Sequence, residues 1–102
     1  MKSEYQYPLD LDWSVDEMII VTNLWSVLEL AYEKGIAVTE FLEKYKLFKE
    51  VVRSIGEEKR FGKQFEEASG YSLYRTVQEA KRLQKGRLKM EAGEQQYGRR
   101  KK

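Results

Sequence analysis

The sequence of 102 residues contains neither cysteine nor histidine. Without cysteine the chain has no disulfide framework and no thiolate nucleophile, which suits a reducing compartment and favours a cytoplasmic location. Without histidine it lacks Ser–His and Cys–His catalytic pairs and the usual imidazole ligands of zinc. An enzyme built from this chain would need a carboxylate or lysine site, so we expect a non-enzymatic protein with no cofactor.

Long apolar runs are also missing. The most apolar segment, Met18–Tyr32, is interrupted by four polar residues and is too short and too polar to span a bilayer. The first five residues are not followed by the apolar stretch of a signal peptide, and no glycine-rich phosphate-binding motif occurs. These absences predict a cytoplasmic protein that does not insert into membranes.

The composition is that of a globular chain, with 41% hydrophobic and 13% aromatic residues. The net charge is +2, but residues 87–102 hold six Lys or Arg and two Glu, a balance of +4, which leaves −2 for residues 1–86. We therefore predict one helical domain over residues 1–90 and a basic, mobile tail over residues 91–102.

Capping residues divide the domain into four predicted helices. Ser14 and Glu17 have the spacing of a capping box, and Gly35 suits the left-handed residue that follows a helix. Three further helices are predicted over about residues 39–51, from Ser54 to Gly70, and from Ser72 to Gly86. Pro8 favours extended backbone before it, so residues 1–13 form a strap. The fold class is all-α, a compact array of about four helices with an extended N-terminal strap.

The first helix has so broad an apolar face that it is predicted to be central, with neighbours on several sides. Ile19 and Leu30 fall among its polar residues and need a cover. We expect the strap, through Tyr5, Tyr7 and Leu9, to provide it; the alternative is a homodimer through helix one. In the third helix, the narrow apolar stripe is Phe61, Phe65 and Ala68, and Gly62 indicates a close helix crossing.

Three separated blocks of sequence resemble a known family. They are the strap Tyr5-Gln6-Tyr7-Pro8-Leu9-Asp10-Leu11-Asp12-Trp13, the segment Ala31-Tyr32-Glu33-Lys34-Gly35-Ile36, and Phe65–Ser72 followed by Tyr74-Arg75-Thr76-Val77. Together they resemble the YktA-like family of small uncharacterised proteins from Bacillus-type bacteria, from about Tyr5 to Met90. The resemblance implies a compact all-α fold and a cytoplasmic bacterial protein, and it supplies no catalytic or binding residues.

The first functional hypothesis is a protein-interaction module with an unknown protein partner. It is motivated by aromatic residues outside the predicted core, because tyrosine is enriched at binding hot spots. The candidate interaction surface comprises Tyr5, Tyr7, Tyr71, Tyr74 and Arg75.

The alternative is nucleic-acid binding through helix 72–86 and the basic tail, in the manner of a helix-turn-helix. The candidate contacts are Arg75, Gln78, Lys81, Arg82, Lys85, Arg99 and Arg100, with Thr76 as a further base reader. The acidic body weighs against it, as does Glu66 at a turn position that usually holds a small residue. Asp10 and Asp12 form a D-x-D pair, but the sixth position of a calcium loop is Val15 rather than glycine, so we interpret them as surface carboxylates near a helix N-terminus.

Overall fold

The computed structural model describes residues 5–91 and contains four helices and one two-stranded sheet, which confirms the predicted all-α class. In chain order the elements are α1 (Val15–Glu33), β1 (Ile36–Ala37), α2 (Val38–Val51), α3 (Ile55–Ser69), α4 (Leu73–Leu83) and β2 (Arg87–Leu88). No helix within residues 5–91 has the length and apolar character needed to cross a membrane.

Three serines begin helices as predicted. Ser14 forms both halves of a capping box with Glu17, its hydroxyl accepting from the Glu17 N–H at 3.1 Å and its own N–H donating to the Glu17 carboxylate at 2.9 Å. The hydroxyls of Ser54 and Ser72 accept from the backbone N–H three residues later. Such caps satisfy amide groups that lack a partner inside the first turn, so the starts of α1, α3 and α4 are fixed locally.

The core is built around α1. Leu24, Trp25 and Leu28 have no exposed surface, and α1 has its most extensive contact with α2. Burying a large apolar side chain stabilises a fold by about 1.5–3 kcal/mol, so this face anchors the other elements. The central position predicted for helix one is confirmed.

The N-terminal strap crosses α1 beside Trp25 and Glu29. The Trp25 indole N–H donates to the Pro8 carbonyl oxygen at 3.0 Å, and both groups are buried. The expectation that the strap covers Ile19 is wrong, because Ile19 is 52% exposed. The strap instead contacts Trp25 and Glu29, which lie six and ten residues after Ile19 on α1. Leu30 is half-buried against the core.

The C-terminal part of the domain differs from the prediction. Helix α4 ends at Leu83 rather than near Gly86, because Gln84 takes a φ of 66° and the chain turns back. Residues 87–88 then form β2, which pairs antiparallel with β1 so that Ile36 lies opposite Leu88. Leu88 is fully buried, so this segment completes the core. Of the predicted tail, only Glu91 lies within the described residues.

Two expectations about α3 have different outcomes. Ala68 was expected in the apolar stripe but is exposed, whereas Phe61 and Phe65 are buried. Gly62 is buried, and a Cβ atom built on it would lie 3.6 Å from the Leu73 side chain. Helices α3 and α4 therefore pack together at Gly62, but the distance is an ordinary van der Waals contact, so the crossing is not so close that it requires glycine.

Candidate functional site

An open groove of about 590 Å³ runs between α3 and α4. We call it the α3–α4 groove. Buried Gly62, Leu73 and Val77 line its base, while Ile55 and Tyr74 are 66% and 71% exposed at its sides. Its lining residues are Tyr45, Ile55, Glu58, Lys59, Gly62, Lys63, Glu66, Leu73, Tyr74, Val77, Gln78 and Lys81. An apolar base with large exposed side chains beside it is typical of a binding surface.

The groove forms because the large apolar residues of α3 face the core and not α4. Phe61 and Phe65 point into the core, so a neighbouring row of the helix faces α4. That row includes Glu58, Gly62 and Glu66, which recur every fourth residue and therefore share a face. Because Gly62 has no side chain, the middle of this wall stays low and the groove remains open.

A hydrogen-bonded network fixes one end of the groove. The Tyr45 hydroxyl donates to Glu58 Oε2 at 2.7 Å, and Lys49 Nζ donates to the other oxygen of the same carboxylate. Burial, followed by this hydrogen bond, raises the pKa of the Tyr45 hydroxyl above its usual range. The Lys81 ammonium lies 5.9 Å from the centre of the Tyr45 ring. These contacts hold α2, α3 and α4 together where they meet.

The remaining charges of the groove are mostly positive. Within residues 5–91 the ion pairs are Lys49–Glu58 and Arg82–Glu79, so the lysines of the groove have no carboxylate partner there. Lys59 and Lys63 lie on the α3 side and Lys81 on the α4 side, whereas Glu66 is the one groove carboxylate outside these pairs. With Glu58 paired to Lys49, the other charged side chains that line the groove are three lysines and one glutamate, although residues 1–86 are acidic overall.

Three of the predicted surface tyrosines lie elsewhere and support the fold. Tyr5 and Tyr7 both donate to Glu29, and their rings pack against Phe65. Each of the two hydroxyls has a pKa raised above its usual range by burial and by Glu29.

Tyr71 belongs to the same side of the molecule. It stacks on Tyr32 with ring centres 4.5 Å apart and donates to Glu33 at 2.8 Å. Burial, together with that hydrogen bond, raises the pKa of Tyr71 to about 12. The groove lining therefore includes Tyr74 but none of the three other predicted tyrosines, Tyr5, Tyr7 and Tyr71.

The candidate nucleic-acid contacts on α4 are only partly available. Arg82 makes two hydrogen bonds to Glu79, at 3.0 and 2.5 Å, and this lowers the pKa of the Glu79 carboxyl. Lys85 is exposed but follows the end of the helix. Arg75 lines a shallower depression beside Gln78 and Arg82. Arg99 and Arg100 lie outside the described residues.

Thr76 cannot read bases as expected. It is fully buried, and its hydroxyl donates to the Ser72 carbonyl oxygen at 2.7 Å. The reason is that position 76 faces the core, as do Val77 and Ala80 on the same helix.

The D-x-D pair forms a turn. The Asp12 N–H donates to Asp10 Oδ1 at 2.9 Å, and the Trp13 N–H donates to the Asp10 carbonyl oxygen at 3.0 Å. Asp10 thereby shapes the turn that leads into α1. Over residues 5–91, no group of three or more acidic side chains is arranged to hold a metal ion.

Sequence reasoning missed most of the groove. Ile55, Lys59, Lys63 and Tyr45 come from two different helices, and nothing in their local pattern relates them to Tyr74. The signal in the sequence was Gly62. It is a glycine inside a predicted helix, with the charged residues Glu58 and Glu66 four positions before and after it.

Comparison with known proteins gives a consistent result along most of the chain. Residues 4–89 match the model of UPF0223, described as an uncharacterised protein family. A UPF0223 protein from Enterococcus faecalis is 61% identical over 87 residues, which cover 85% of this chain and 95% of that protein. A relative from Bacillus cytotoxicus is 53% identical over 76% of this chain and 88% of its own length. One from Listeria monocytogenes is 50% identical over 86% of this chain and 98% of its own length.

These matches confirm the resemblance to a small uncharacterised family of Bacillus-type bacteria. The chain belongs to the UPF0223 family.

Proposed function

We propose that this protein is a non-enzymatic interaction module that binds a segment of a partner protein in the α3–α4 groove. The observation that carries the proposal is the groove itself, where Ile55 and Tyr74 are exposed beside a base of buried apolar residues. We further propose that it acts in the cytoplasm, as the cysteine-free sequence predicts.

Tyr74 is the central contact in this proposal. Tyrosine is enriched at binding hot spots because its large ring buries apolar area while its hydroxyl remains able to hydrogen-bond. The Tyr74 ring is 71% exposed, in contrast to Tyr71, which stacks on another ring. Of the surface proposed from sequence, we retain Tyr74 and the neighbouring Arg75 as partner contacts. We assign Tyr5, Tyr7 and Tyr71 to holding the strap and the α3–α4 connection.

Site-specific photo-crosslinking in cells tests the proposal. A photoreactive amino acid at Gln78, inside the groove, is compared with one at Asn23, on the exposed side of α1. The protein captured from Gln78 alone is then purified, and its affinity is measured for the wild type and two variants. Ile55→Ala is expected to weaken binding about tenfold, because it removes apolar area that the partner segment would bury in the groove.

Val15→Ala is the matched control, because Val15 is also β-branched and 71% exposed but lies on α1. It is expected to leave the affinity unchanged. Equal effects of Ile55→Ala and Val15→Ala, or equal capture from Gln78 and Asn23, would contradict the proposal.

Nucleic-acid binding is the second candidate function, favoured by the exposure of Arg75, Gln78 and Lys81 on α4. It predicts a mobility shift of DNA or RNA at about 50 mM salt, where phosphate contacts are strong. The shift should disappear when Arg75, Lys81 and Arg82 are replaced by Ala. Absence of any shift with the wild type would eliminate this candidate.

A further inference from the structure

We infer that the occupant of the α3–α4 groove is an acidic amphipathic helix of about three turns. This inference rests on the proposed function and specifies the chemistry of the partner segment.

The length of the groove sets the length of the occupant. Along α3 the lining runs from Ile55 to Glu66, which is 12 residues. At a rise of 1.5 Å per residue this wall is about 18 Å long. A helical segment of about 12 residues covers that distance and presents apolar residues at positions i, i+3, i+4 and i+7.

The backbone of the walls favours a helix over an extended peptide. Both walls are helices, whose N–H and C=O groups are paired within α3 and α4. An extended peptide binds well where it can add to a sheet edge, and this groove offers none. On the apolar base its own amide groups would lose water without gaining partners, which is costly. A helix brings its amide groups already paired.

The charges of the groove select an acidic segment. Lys59 and Lys63 are one turn apart on the α3 wall, and Lys81 stands on the α4 wall. Glu58 is already neutralised by Lys49, which leaves Glu66 near one end as the opposing charge. An apolar stripe flanked on both sides by carboxylates matches this arrangement, because complementary charges at the edges of an interface favour the correct partner.

The apolar base argues against a nucleic acid as the occupant. Single-stranded nucleic acids bind where several rings can stack with bases. Here Tyr74 is the exposed ring, while Tyr45 is covered by Lys81. The base itself is made of Gly62, Leu73 and Val77, which offer no ring on which a base could stack.

A displayed peptide library tests the inference with the intact protein. Every peptide has 12 residues with Leu at the four apolar positions, and each remaining position is randomly Glu, Lys or Gln. Peptides that bind wild type but not Tyr74→Ala are collected, so the readout is the charge of groove-dependent binders. We expect these binders to be rich in Glu on both sides of the Leu stripe.

The outcomes separate the two levels of the proposal. Groove-dependent binders with neutral or Lys-rich flanks overturn the inference and leave the proposed function standing. Failure to recover any Tyr74-dependent binder overturns the inference, and the crosslinking at Gln78 then decides the proposed function independently. A single-stranded oligonucleotide that displaces the selected peptides at equal concentration also overturns it, in favour of a nucleic acid.

Charge reversal provides the second measurement. In Lys59→Glu/Lys63→Glu, the affinity for a selected Glu-rich peptide should fall by about tenfold at about 50 mM salt, and less at high salt, as expected for exposed charge pairs. The same variant should gain affinity for the Lys-rich version of that peptide. Lys46→Glu/Arg53→Glu, which changes the net charge equally but at exposed positions outside the groove, should behave as wild type. An equal loss in both double variants would show a general charge effect and overturn the inference.

Discussion

At the scale of single residues, four tyrosine hydroxyls within residues 5–91 donate to carboxylates. Tyr5 and Tyr7 share Glu29, while Tyr45 donates to Glu58 and Tyr71 to Glu33. Burial and these bonds raise each hydroxyl pKa, that of Tyr71 to about 12. Because the unfolded pKa is about 10, the folded state keeps these protons to higher pH. Their contribution to stability is therefore complete below pH 10 and is lost as the pH rises through the folded-state values.

We expect the free energy of unfolding, measured in urea, to fall steeply above about pH 10. Tyr71→Phe removes one titrating group with a raised pKa, so its stability should fall less steeply between about pH 10 and pH 12. Tyr74→Phe is the control, because the Tyr74 ring is largely exposed. A slope for Tyr71→Phe as steep as that of wild type would contradict this account.

At the scale of the helices, Gly62 weakens α3 without being required by its neighbour. A Cβ atom at this position would lie 3.6 Å from Leu73, an ordinary van der Waals contact. Glycine inside a helix costs about 1 kcal/mol relative to alanine. Gly62→Ala should therefore raise the free energy of unfolding by about 1 kcal/mol, measured by chemical denaturation.

Gly56→Ala, in the first turn of α3 and with open space around it, should have a smaller effect. A loss of stability in Gly62→Ala would mean that the crossing with α4 does need glycine.

Two glycines that end helices differ in their surroundings. Gly70 has a φ of 86° with open space around it, whereas Gly35 has a φ of 95° and lies under the Arg87 guanidinium. A Cβ atom on Gly35 would lie 2.7 Å from Arg87 Nε. Gly70→Ala should cost about 1 kcal/mol, the penalty of a left-handed conformation. Gly35→Ala should cost slightly more, because the flexible, exposed Arg87 side chain must also move away from the Lys34 carbonyl oxygen that accepts its hydrogen bond.

Thermal and urea unfolding of the two single variants give the comparison. Combining Gly35→Ala with Arg87→Ala should be less costly than the sum of the two single changes, since the crowding disappears with the guanidinium. Equal costs for Gly35→Ala and Gly70→Ala would refute the role of Arg87.

The features that could be predicted from the sequence are those determined by neighbours along the chain. Ser14, Ser54 and Ser72 begin helices through bonds to residues three positions away, so spacing alone revealed them. The end of α4 was missed because β2 pairs with a strand far earlier in the chain. The groove was missed for a similar reason, since Ile55 and Tyr74 meet only after α3 and α4 have packed together.

At the scale of the whole molecule, the exposed end of α1 bears on the oligomeric state. Val15 and Ile19, one turn apart on α1, are 71% and 52% exposed, and Leu11 in the turn before the helix is 88% exposed. Three side chains cover only a fraction of the roughly 800 Å² that each partner buries in a stable complex. We therefore expect sedimentation to give the mass of a monomer at protein concentrations of about 10–100 μM. A dimer with a dissociation constant in that range would be detected in the same measurement.

Ile19→Glu should leave that mass unchanged. A concentration-dependent dimer that is lost in Ile19→Glu would instead support the homodimer through helix one.

The pairing of β1 with β2 also has a consequence for biosynthesis. Arg87 reaches back to the Lys34 carbonyl oxygen, 53 residues earlier, and Leu88 fills a buried position opposite Ile36. On the ribosome, α1 is made long before the residues that close over its C-terminal end. Until then only the part of the α1 surface beside Ile36 lacks its cover, because α2, the main neighbour of α1, is made directly after it. We therefore expect a chain that ends before residue 88 to unfold at a lower urea concentration than the full chain, because Ile36 and the C-terminal end of α1 lose the residues that cover them.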